Sequence, residues 1–262
     1  MMKLATWNVN SLKVRLPQVL EWLAANPVEV LCLQETKQQD VDFPKDELMA
    51  AGYHSVFTGQ KTYNGVAILS REAAIDVQMG IPALRHGSGQ AFEDEQKRVI
   101  AATFGDVRVV NVYIPNGQSL DSDKYQYKLA WLKALHDWLK QELVRYPKLL
   151  LLGDYNIAPE DRDVHDPAAW VGNVLVSEPE RDAFRALVAL GLKDSYRLLE
   201  QAEKTFSWWD YRMMAFRRNM GMRIDHILIS EALVPECKSC IIDKAPRKLE
   251  RPSDHTPVVV EL

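Results

Sequence analysis

Short runs of Val, Ile, Leu and other apolar residues recur along the chain, and polar or turn-forming residues bound each run. Runs of about four to eight such residues are typical of buried or half-buried strands. On this basis we predict strands at residues 4–7, 28–33, 65–69, 99–104, 107–114, 149–152, 224–229 and 258–262.

Helical periodicity occurs in fewer places. Apolar side chains recur at helical spacing in residues 12–25, 125–144 and 182–190, and Gly191 follows the last segment as a suitable C-terminal cap. Strands interspersed with helices favour an α/β architecture of two packed sheets covered by helices. Because no segment rich in Gly, Ser or Pro divides the chain, we expect one domain over residues 1–262.

The composition is that of an ordinary globular protein, with 47% hydrophobic and 26% charged residues. These values exclude collagen, long coiled coils and disordered chains. The chain lacks an apolar run long enough for a membrane span, and its first residues lack the apolar core of a signal peptide. We therefore expect no membrane association and a cytoplasmic location. We also expect a monomer.

The net charge of −4 does not by itself indicate a nucleic-acid partner. Cationic residues nevertheless cluster locally. The first cluster comprises Arg212, Arg217, Arg218 and Arg223, and the second comprises Arg247, Lys248 and Arg251. Each cluster is either a solvated face or a set of phosphate contacts, and the charge pattern alone leaves both interpretations open.

Polar side chains repeatedly follow the predicted strands. Asn8 and Asn10 come after the first strand, Glu35 after the second, and Asp154 and Asn156 after the sixth. Tyr113 and Asn116 lie at the end of the fifth strand, Asp225 and His226 at the start of the seventh, and Asp254 and His255 just before the last. If these ends converge, carboxylate and amide oxygens would line a cleft of the kind that suits Mg²⁺ or Mn²⁺.

Six sequence blocks in order carry a resemblance to a known family. They are T-W-N-V-N at 6–10, L-Q-E-T-K at 33–37, G-D-Y-N-I-A-P at 153–159, F-S-W-W-D-Y-R at 206–212, G-M-R-I-D-H-I-L at 221–228 and P-S-D-H-T-P-V at 252–258. This set resembles exonuclease III, the bacterial branch of the abasic-site endonucleases within the endonuclease/exonuclease/phosphatase superfamily. The resemblance implies a DNase I-like four-layer sandwich, in which two mixed sheets pack face to face between helices.

The resemblance also implies roles for individual residues. It makes Glu35 a ligand of Mg²⁺, for which Mn²⁺ can substitute, with Asn8 and Asp254 nearby as further metal-site residues. It makes Asp154 the residue that orients or deprotonates the attacking water, with Asn156 beside it. It pairs His255 with Asp225 as an active-site dyad and places Tyr113 against the scissile phosphate.

The implied substrate is double-stranded DNA with abasic sites or blocked 3′ ends. Trp208, Met222 and Ile224 match the apolar pocket that receives a sugar without a base. The residues expected to contact the rest of the substrate are Asn10, Arg212, Arg217, Arg218 and Arg223. The expected activities are abasic-site incision, 3′→5′ exonuclease action and removal of 3′-phosphates or other 3′ blocks.

Two alternatives remain beside this interpretation. One is a phosphoesterase of the same superfamily that acts on a phosphoinositide or sphingomyelin, against which the segment from Trp208 to Asp225 argues. The other is a DNA-binding protein without catalytic activity, against which the complete set of catalytic positions argues. A further hypothesis concerns His165, where relatives often have a small residue: its imidazole either narrows the abasic pocket or is a solvated loop side chain.

Overall fold

The computed structural model describes residues 2–82 and 94–262 of the chain. The strands and helices follow one another as β1 (Lys3–Asn8), α1 (Leu12–Ala25), β2 (Val30–Gln34), α2 (Lys45–Ala50), β3 (His54–Thr58), β4 (Val66–Ser70), β5 (Ile75–Met79), β6 (Val99–Phe104), β7 (Val107–Tyr113), α3 (Asp123–Arg145), β8 (Leu149–Asp154), α4 (Pro167–Trp170), α5 (Glu178–Ala189), β9 (Leu192–Asp194), β10 (Trp208–Trp209), β11 (Gly221–Met222), β12 (Asp225–Ser230), β13 (Ser239–Ile242) and β14 (Val258–Glu261).

The strongly apolar segments fold as the pattern predicts. α1 and β6 have the predicted bounds, and the other predicted strands and α3 agree to within two residues at each end. The exception is α5, which begins four residues early, at Glu178. Ser177 and Glu180 form a capping box ahead of the apolar stripe, and this reciprocal pair of hydrogen bonds starts the helix there.

Two six-stranded mixed sheets form the centre of the fold. The first has the order β13-β14-β1-β2-β4-β3 and the second has the order β5-β6-β7-β8-β12-β9. The pairs β1–β2 and β7–β8 are parallel, and the other neighbours are antiparallel. β10 and β11 form a separate short hairpin.

Three apolar clusters hold four layers together. One lies between the sheets and includes Leu4 and Ile68 from the first sheet with Leu150 and Ile227 from the second. A second packs the outer face of the second sheet against α3 and α5, and a third packs the first sheet against α1 and α2. The predicted α/β sandwich of two mixed sheets flanked by helices is therefore confirmed.

Within the described ranges, none of the helices combines the length and the apolar character that crossing a bilayer requires.

Candidate active site

The strands bring the predicted polar residues to one end of the sandwich. Because β1 and β2 are parallel neighbours, Asn8 at the end of β1 lies beside Glu35, which follows β2. In the second sheet, Tyr113 at the end of β7 is in register with Asp154 at the end of β8. Asp225 begins the antiparallel strand β12 and is also in register with Asp154. The site therefore lies where the carboxyl ends of four strands meet the start of a fifth.

The backbone turns sharply at this end. Asn10, Glu35 and Asn156 adopt left-handed conformations, with φ of 43°, 51° and 49°. Asn tolerates this region because its short side chain bonds locally, whereas for a residue such as Glu it costs on the order of 1 kcal/mol or more. Hydrogen bonds from Ser11 N to Glu35 O (2.8 Å) and from Thr36 N to Gly65 O (3.1 Å) hold the turn at Glu35.

Asp154 is buried and held by fixed donors. The Asn8 amide Nδ2 donates to Asp154 Oδ2 at 2.8 Å and to Glu35 Oε1 at 2.9 Å. The backbone N–H of Asn156 donates to Asp154 Oδ1 at 2.9 Å. Burial raises the pKa of Asp154 to about 7, helped by the charges of Asp225 and Glu35 and opposed by His255. This carboxyl group can therefore accept a proton near neutral pH.

His255 is held as a cation. Its Nδ1 lies 2.9 Å from Asp225 Oδ2, and Ser207 Oγ donates to the same oxygen at 2.6 Å. Burial alone would lower the pKa of His255, but the carboxylates of Asp225 and Asp154 outweigh it and raise the pKa to about 10. The second ring nitrogen, Nε2, lies 3.7 Å from Asp154 Oδ2 and faces the cleft. An imidazolium in this position can donate a hydrogen bond to a phosphate oxygen.

Tyr113 remains a phenol. Burial raises its pKa well above the usual value, and the nearby charges of Glu35 and Asp154 raise it further. The guanidinium of Arg98 lies 4.6 Å from the centre of the Tyr113 ring and donates to the Tyr113 carbonyl oxygen at 3.1 Å. Tyr113 is therefore a positioned O–H donor at the edge of the cleft.

The chemistry of the donor set fits a divalent cation. Glu35, Asp154 and His255 each bring one potential ligand atom to within 4.8 Å of the others. A protonated His255 is not a ligand, so the oxygens of Glu35 and Asp154 are the suitable donors. Burial is the main cause of the raised pKa of Asp154, and the neighbouring charges of Asp225 and Glu35 add to it. A bound divalent cation would offset the repulsion among these carboxylates.

The structure differs from the predicted metal set at two positions. Asp254 lies outside the group, because its oxygens accept from Asn10 Nδ2 and from Trp208 Nε1, both at 3.0 Å. Asn8 faces the carboxylates with its amide nitrogen, while its Oδ1 accepts from Asn10 N at 3.0 Å. Asn8 thus acts here as a donor that holds the two carboxylates, and Asp254 positions Asn10 and Trp208 at the rim.

The predicted sugar pocket is filled by the chain itself. Trp208 is half-buried and pairs with Met222 across the β10–β11 hairpin. Met222 and Ile224 are 0% and 1% exposed, and they pack against Val164 and other apolar side chains. Core packing covers Met222 and Ile224 in this conformation, and their role in receiving a sugar without a base stays a prediction.

The predicted arginine contacts divide into two groups. Arg212, Arg217 and Arg218 are exposed around the β10–β11 hairpin and are free to meet a polyanion. Arg223 is only 1% exposed, and it pairs with Asp163 at 2.7 Å and with Asp194 at 2.8 Å. Arg223 is therefore a buried structural cation, and the prediction of a substrate contact there is wrong.

Arg247 of the second cationic cluster is also buried. It packs against the rings of Trp209, Tyr211 and Phe216 and donates to the Ser253 carbonyl oxygen at 3.0 Å. Lys248 and Arg251 are exposed.

The sequence reasoning missed two residues of the site, Lys37 and Ser207, and it noted Asn116 without giving it a role. Lys37 pairs with Glu35 at 2.9 Å, Ser207 orients Asp225, and Asn116 Nδ2 donates to Asn156 Oδ1 at 3.2 Å. All three had a signal. Lys37 and Ser207 lie within the matched sequence blocks, and Asn116 belongs to the pattern of polar residues after strands.

Comparison with known proteins places this geometry in a family. Residues 5–255 match the profile described as the Endonuclease/Exonuclease/phosphatase family. The chain is 35% identical to exodeoxyribonuclease III from Haemophilus influenzae over 272 aligned positions, covering 99% of both proteins.

Two solved structures are similar along almost the whole chain. The 3′ phosphatase NExo from Neisseria, bound to a product DNA hairpin, matches with a TM-score of 0.95 and 49% identity, covering 100% of this chain and 99% of that one. An AP endonuclease from Archaeoglobus fulgidus matches with a TM-score of 0.92 and 39% identity, covering 99% and 98%. The chain therefore belongs to the endonuclease/exonuclease/phosphatase family and is a hydrolase of its exonuclease III branch.

Proposed function

We propose that the protein is a Mg²⁺-dependent DNA repair nuclease that hydrolyses phosphodiester bonds at abasic sites and at 3′ ends of duplex DNA. The observation that carries this proposal is the buried Asp154, which is held by Asn8 between the Glu35 carboxylate and the cationic His255–Asp225 dyad. The names of its relatives support a DNA substrate, since they include an exodeoxyribonuclease, an AP endonuclease and a 3′ phosphatase bound to a product DNA hairpin.

The chain's own groups divide the work of hydrolysis. Asp154 orients the attacking water and accepts its proton, a contribution worth about 100- to 10,000-fold in rate. His255 and Tyr113 donate hydrogen bonds to phosphate oxygens as negative charge develops on them. Glu35, with Asp154 beside it, would hold Mg²⁺, for which Mn²⁺ can substitute, and the bound cation would supply Lewis-acid stabilisation of the phosphoryl oxygens.

A groove beside the site suits a nucleic-acid strand. A cavity of about 620 Å³ next to Tyr113 is lined by cationic, aromatic and amide side chains, among them Arg98, Lys124, Tyr63 and Asn116. Such a surface usually combines cationic side chains, which contact phosphates, with tyrosines, which stack on bases. The exposed arginines between β10 and β11 provide further cationic surface.

Within this activity, we propose that processing of 3′ ends exceeds incision at abasic sites. Neighbouring side chains cover Met222 and Ile224. His165 lies against the β10–β11 hairpin, and its backbone N–H donates to Gly221 O at 3.0 Å. A free 3′ end needs less distortion to reach Asp154 than a sugar turned out of a duplex does. The 49% identity to a protein described as a 3′ phosphatase supports the same order.

The test compares three duplexes that carry an abasic site, a recessed 3′ end or a 3′-phosphate. With Mg²⁺ we expect cleavage of all three, fastest at the 3′-phosphate, and loss of all activity in excess EDTA. Glu35→Gln, which keeps the size of the side chain but removes its charge, should lose activity while retaining the fold. Wild-type protein that binds the duplexes but cleaves none of them would instead be a DNA-binding protein.

We further propose that the protein acts as a monomer in the cytoplasm. Sedimentation at the concentration used for the cleavage assay measures the oligomeric state directly.

A further inference from the structure

A lysine is completely buried on the inner face of α3. Lys128 has 0% of its surface exposed, and it occupies the same helical stripe as the buried Tyr125, Leu132 and Leu135. A lysine at such a position is costly to bury unless its charge is paired and its protons are all bonded. The position therefore requires a reason other than apolar packing.

All three ammonium protons of Lys128 have acceptors. The Nζ atom donates to the carbonyl oxygen of Asn156 at 2.7 Å, to that of Asn116 at 3.2 Å, and to the Glu180 carboxylate. The lysine stem passes closely beneath Gly117, where an added Cβ would lie 3.3 Å from Lys128 Cδ. One cation thus ties together the loops that follow β7 and β8.

The two carbonyl groups belong to residues that reach the reacting centre. Asn116 Nδ2 donates to Asn156 Oδ1 at 3.2 Å, and Asn156 Nδ2 donates to the Ile114 carbonyl oxygen at 3.0 Å. The backbone N–H of Asn156 also donates to Asp154 Oδ1 at 2.9 Å. The left-handed turn at Asn156 therefore sets the carboxylate of Asp154, and Lys128 holds that turn from behind.

Glu180 connects this arrangement to a third segment. Besides Lys128, its carboxylate accepts from Leu175 N at 3.0 Å and from Ser177 N at 3.1 Å. Leu175 in turn accepts a hydrogen bond from the backbone of Ala158 at 2.7 Å. The buried pair consequently fixes the start of α5 and the chain just after the catalytic turn to the same point.

We propose that Lys128 and Glu180 are positioning residues for the hydrolytic step, which hold Asn156 and Asn116, and through them Asp154, in the geometry that catalysis needs. The inference rests on the proposed nuclease function. Stability alone does not require this pair, because buried ion pairs can often be replaced by apolar groups without loss. An apolar replacement of similar shape cannot, however, donate to two backbone carbonyl groups.

The test separates positioning from stability with three variants: Lys128→Met, Glu180→Gln and the double variant. Lys128→Met should lower kcat about 10- to 100-fold with KM little changed, because misplacement of about 1 Å has effects of this size. Its melting temperature should also fall, since Glu180 is left buried and unpaired. The double variant should recover melting temperature but not kcat, because the donor to Asn156 is still missing.

A second buried ion pair on α3 provides the matched control. Arg108 Nε lies 3.0 Å from Glu142 Oε2. Arg108 is near the start of β7, and Tyr113 ends the same strand about 17 Å away. Arg108→Met combined with Glu142→Gln should change the melting temperature and leave kcat unchanged.

Three results would overturn the inference. They are an unchanged kcat in folded Lys128→Met, a kcat that recovers in the double variant together with the melting temperature, and an equal loss of kcat in the Arg108/Glu142 control. A wild-type protein that cleaves none of the three duplexes overturns the proposed function and this inference with it. An active wild type with an equally active Lys128→Met overturns only the inference.

Discussion

At the scale of single residues, Asp154 combines a shifted pKa with a fixed geometry. Burial and neighbouring carboxylates raise its pKa to about 7, while Asn8 and Asn156 hold both of its oxygens. Asp154→Asn keeps the shape of the side chain and removes its basicity. We expect turnover to fall by at least about 100-fold with little change in DNA affinity. Single-turnover cleavage and equilibrium binding of the same duplex distinguish this role from one in substrate binding, where affinity would fall instead.

The His255–Asp225 pair predicts a pH dependence of stability. The pKa of His255 is about 10 in the folded protein, above the value of about 6.5 in an unfolded chain. The folded state therefore binds more protons between these values, so the pair's stabilisation is complete below about pH 6.5 and is lost as the pH rises through about 10. Without metal, the wild type should have a larger free energy of unfolding than His255→Gln. This difference should shrink as the pH rises from about 6.5 to about 10.

Asp225→Asn serves as the control for this measurement. This substitution removes the negative charge that stabilises the imidazolium of His255. The free energy of unfolding of the variant should therefore fall less than that of the wild type as the pH rises. An advantage of wild type over His255→Gln that stays constant from pH 6 to 10 would mean that His255 is not held as a cation.

At the scale of elements, the segment between β8 and α4 covers the predicted sugar pocket. Val164 forms an isolated bridge with Met222, and both the backbone N–H and the ring of His165 approach Gly221 O, at 3.0 Å and 3.2 Å. His165→Gly should raise abasic-site incision relative to 3′-phosphate removal, because the space beside the hairpin becomes larger. The ratio of the two rates on otherwise identical duplexes is the measurement.

The control for the His165 prediction is His54→Gly, which changes an exposed histidine on the edge strand β3, outside the site. An equal change in both activities of His165→Gly, or no change, would leave His165 a loop residue without influence on substrate choice.

Within the two six-stranded sheets, the strands that the apolar pattern failed to predict have one position in common. β3, β5, β9 and β13 are the outermost strands of the two sheets. An edge strand is covered on fewer sides and carries polar residues that discourage pairing with other chains, so its apolar periodicity is weak. In β5, for example, four of the five residues are exposed.

At the scale of the whole molecule, net charge and surface charge lead to different expectations for binding. The chain carries −4, yet Arg212, Arg217 and Arg218 are exposed together on the β10–β11 hairpin. DNA affinity should fall steeply between about 50 and 200 mM salt, because each phosphate contact releases counterions. Replacing the three arginines with Gln should reduce the log–log slope by up to about three.

Arg185 is a suitable control for the salt dependence, since it is exposed but already paired with Glu178 and Asp182 on α5. Arg185→Gln should leave the slope unchanged. A triple variant with the wild-type slope would place the DNA contacts elsewhere on the surface.

The sequence by itself determined the elements with strong apolar patterns, the two-sheet architecture and the strand-end residues that carry the chemistry. These follow from local rules, because burial imposes a period on each element and because polar residues after strands are visible one strand at a time. The same rules located Asp154, Asp225 and His255 without showing that they meet. Family resemblance supplied their roles.

Only the tertiary structure decided which charged and apolar side chains face the substrate. Arg212 and Arg223 look alike in the sequence, yet Arg223 is enclosed by Asp163 and Asp194, which lie 60 and 29 positions away. In the sequence, Lys128 only interrupts an apolar helical stripe. The structure shows that its ammonium group donates to carbonyl oxygens in two other loops. Burial and ion pairing are set by contacts between distant segments, and local sequence carries little information about such contacts.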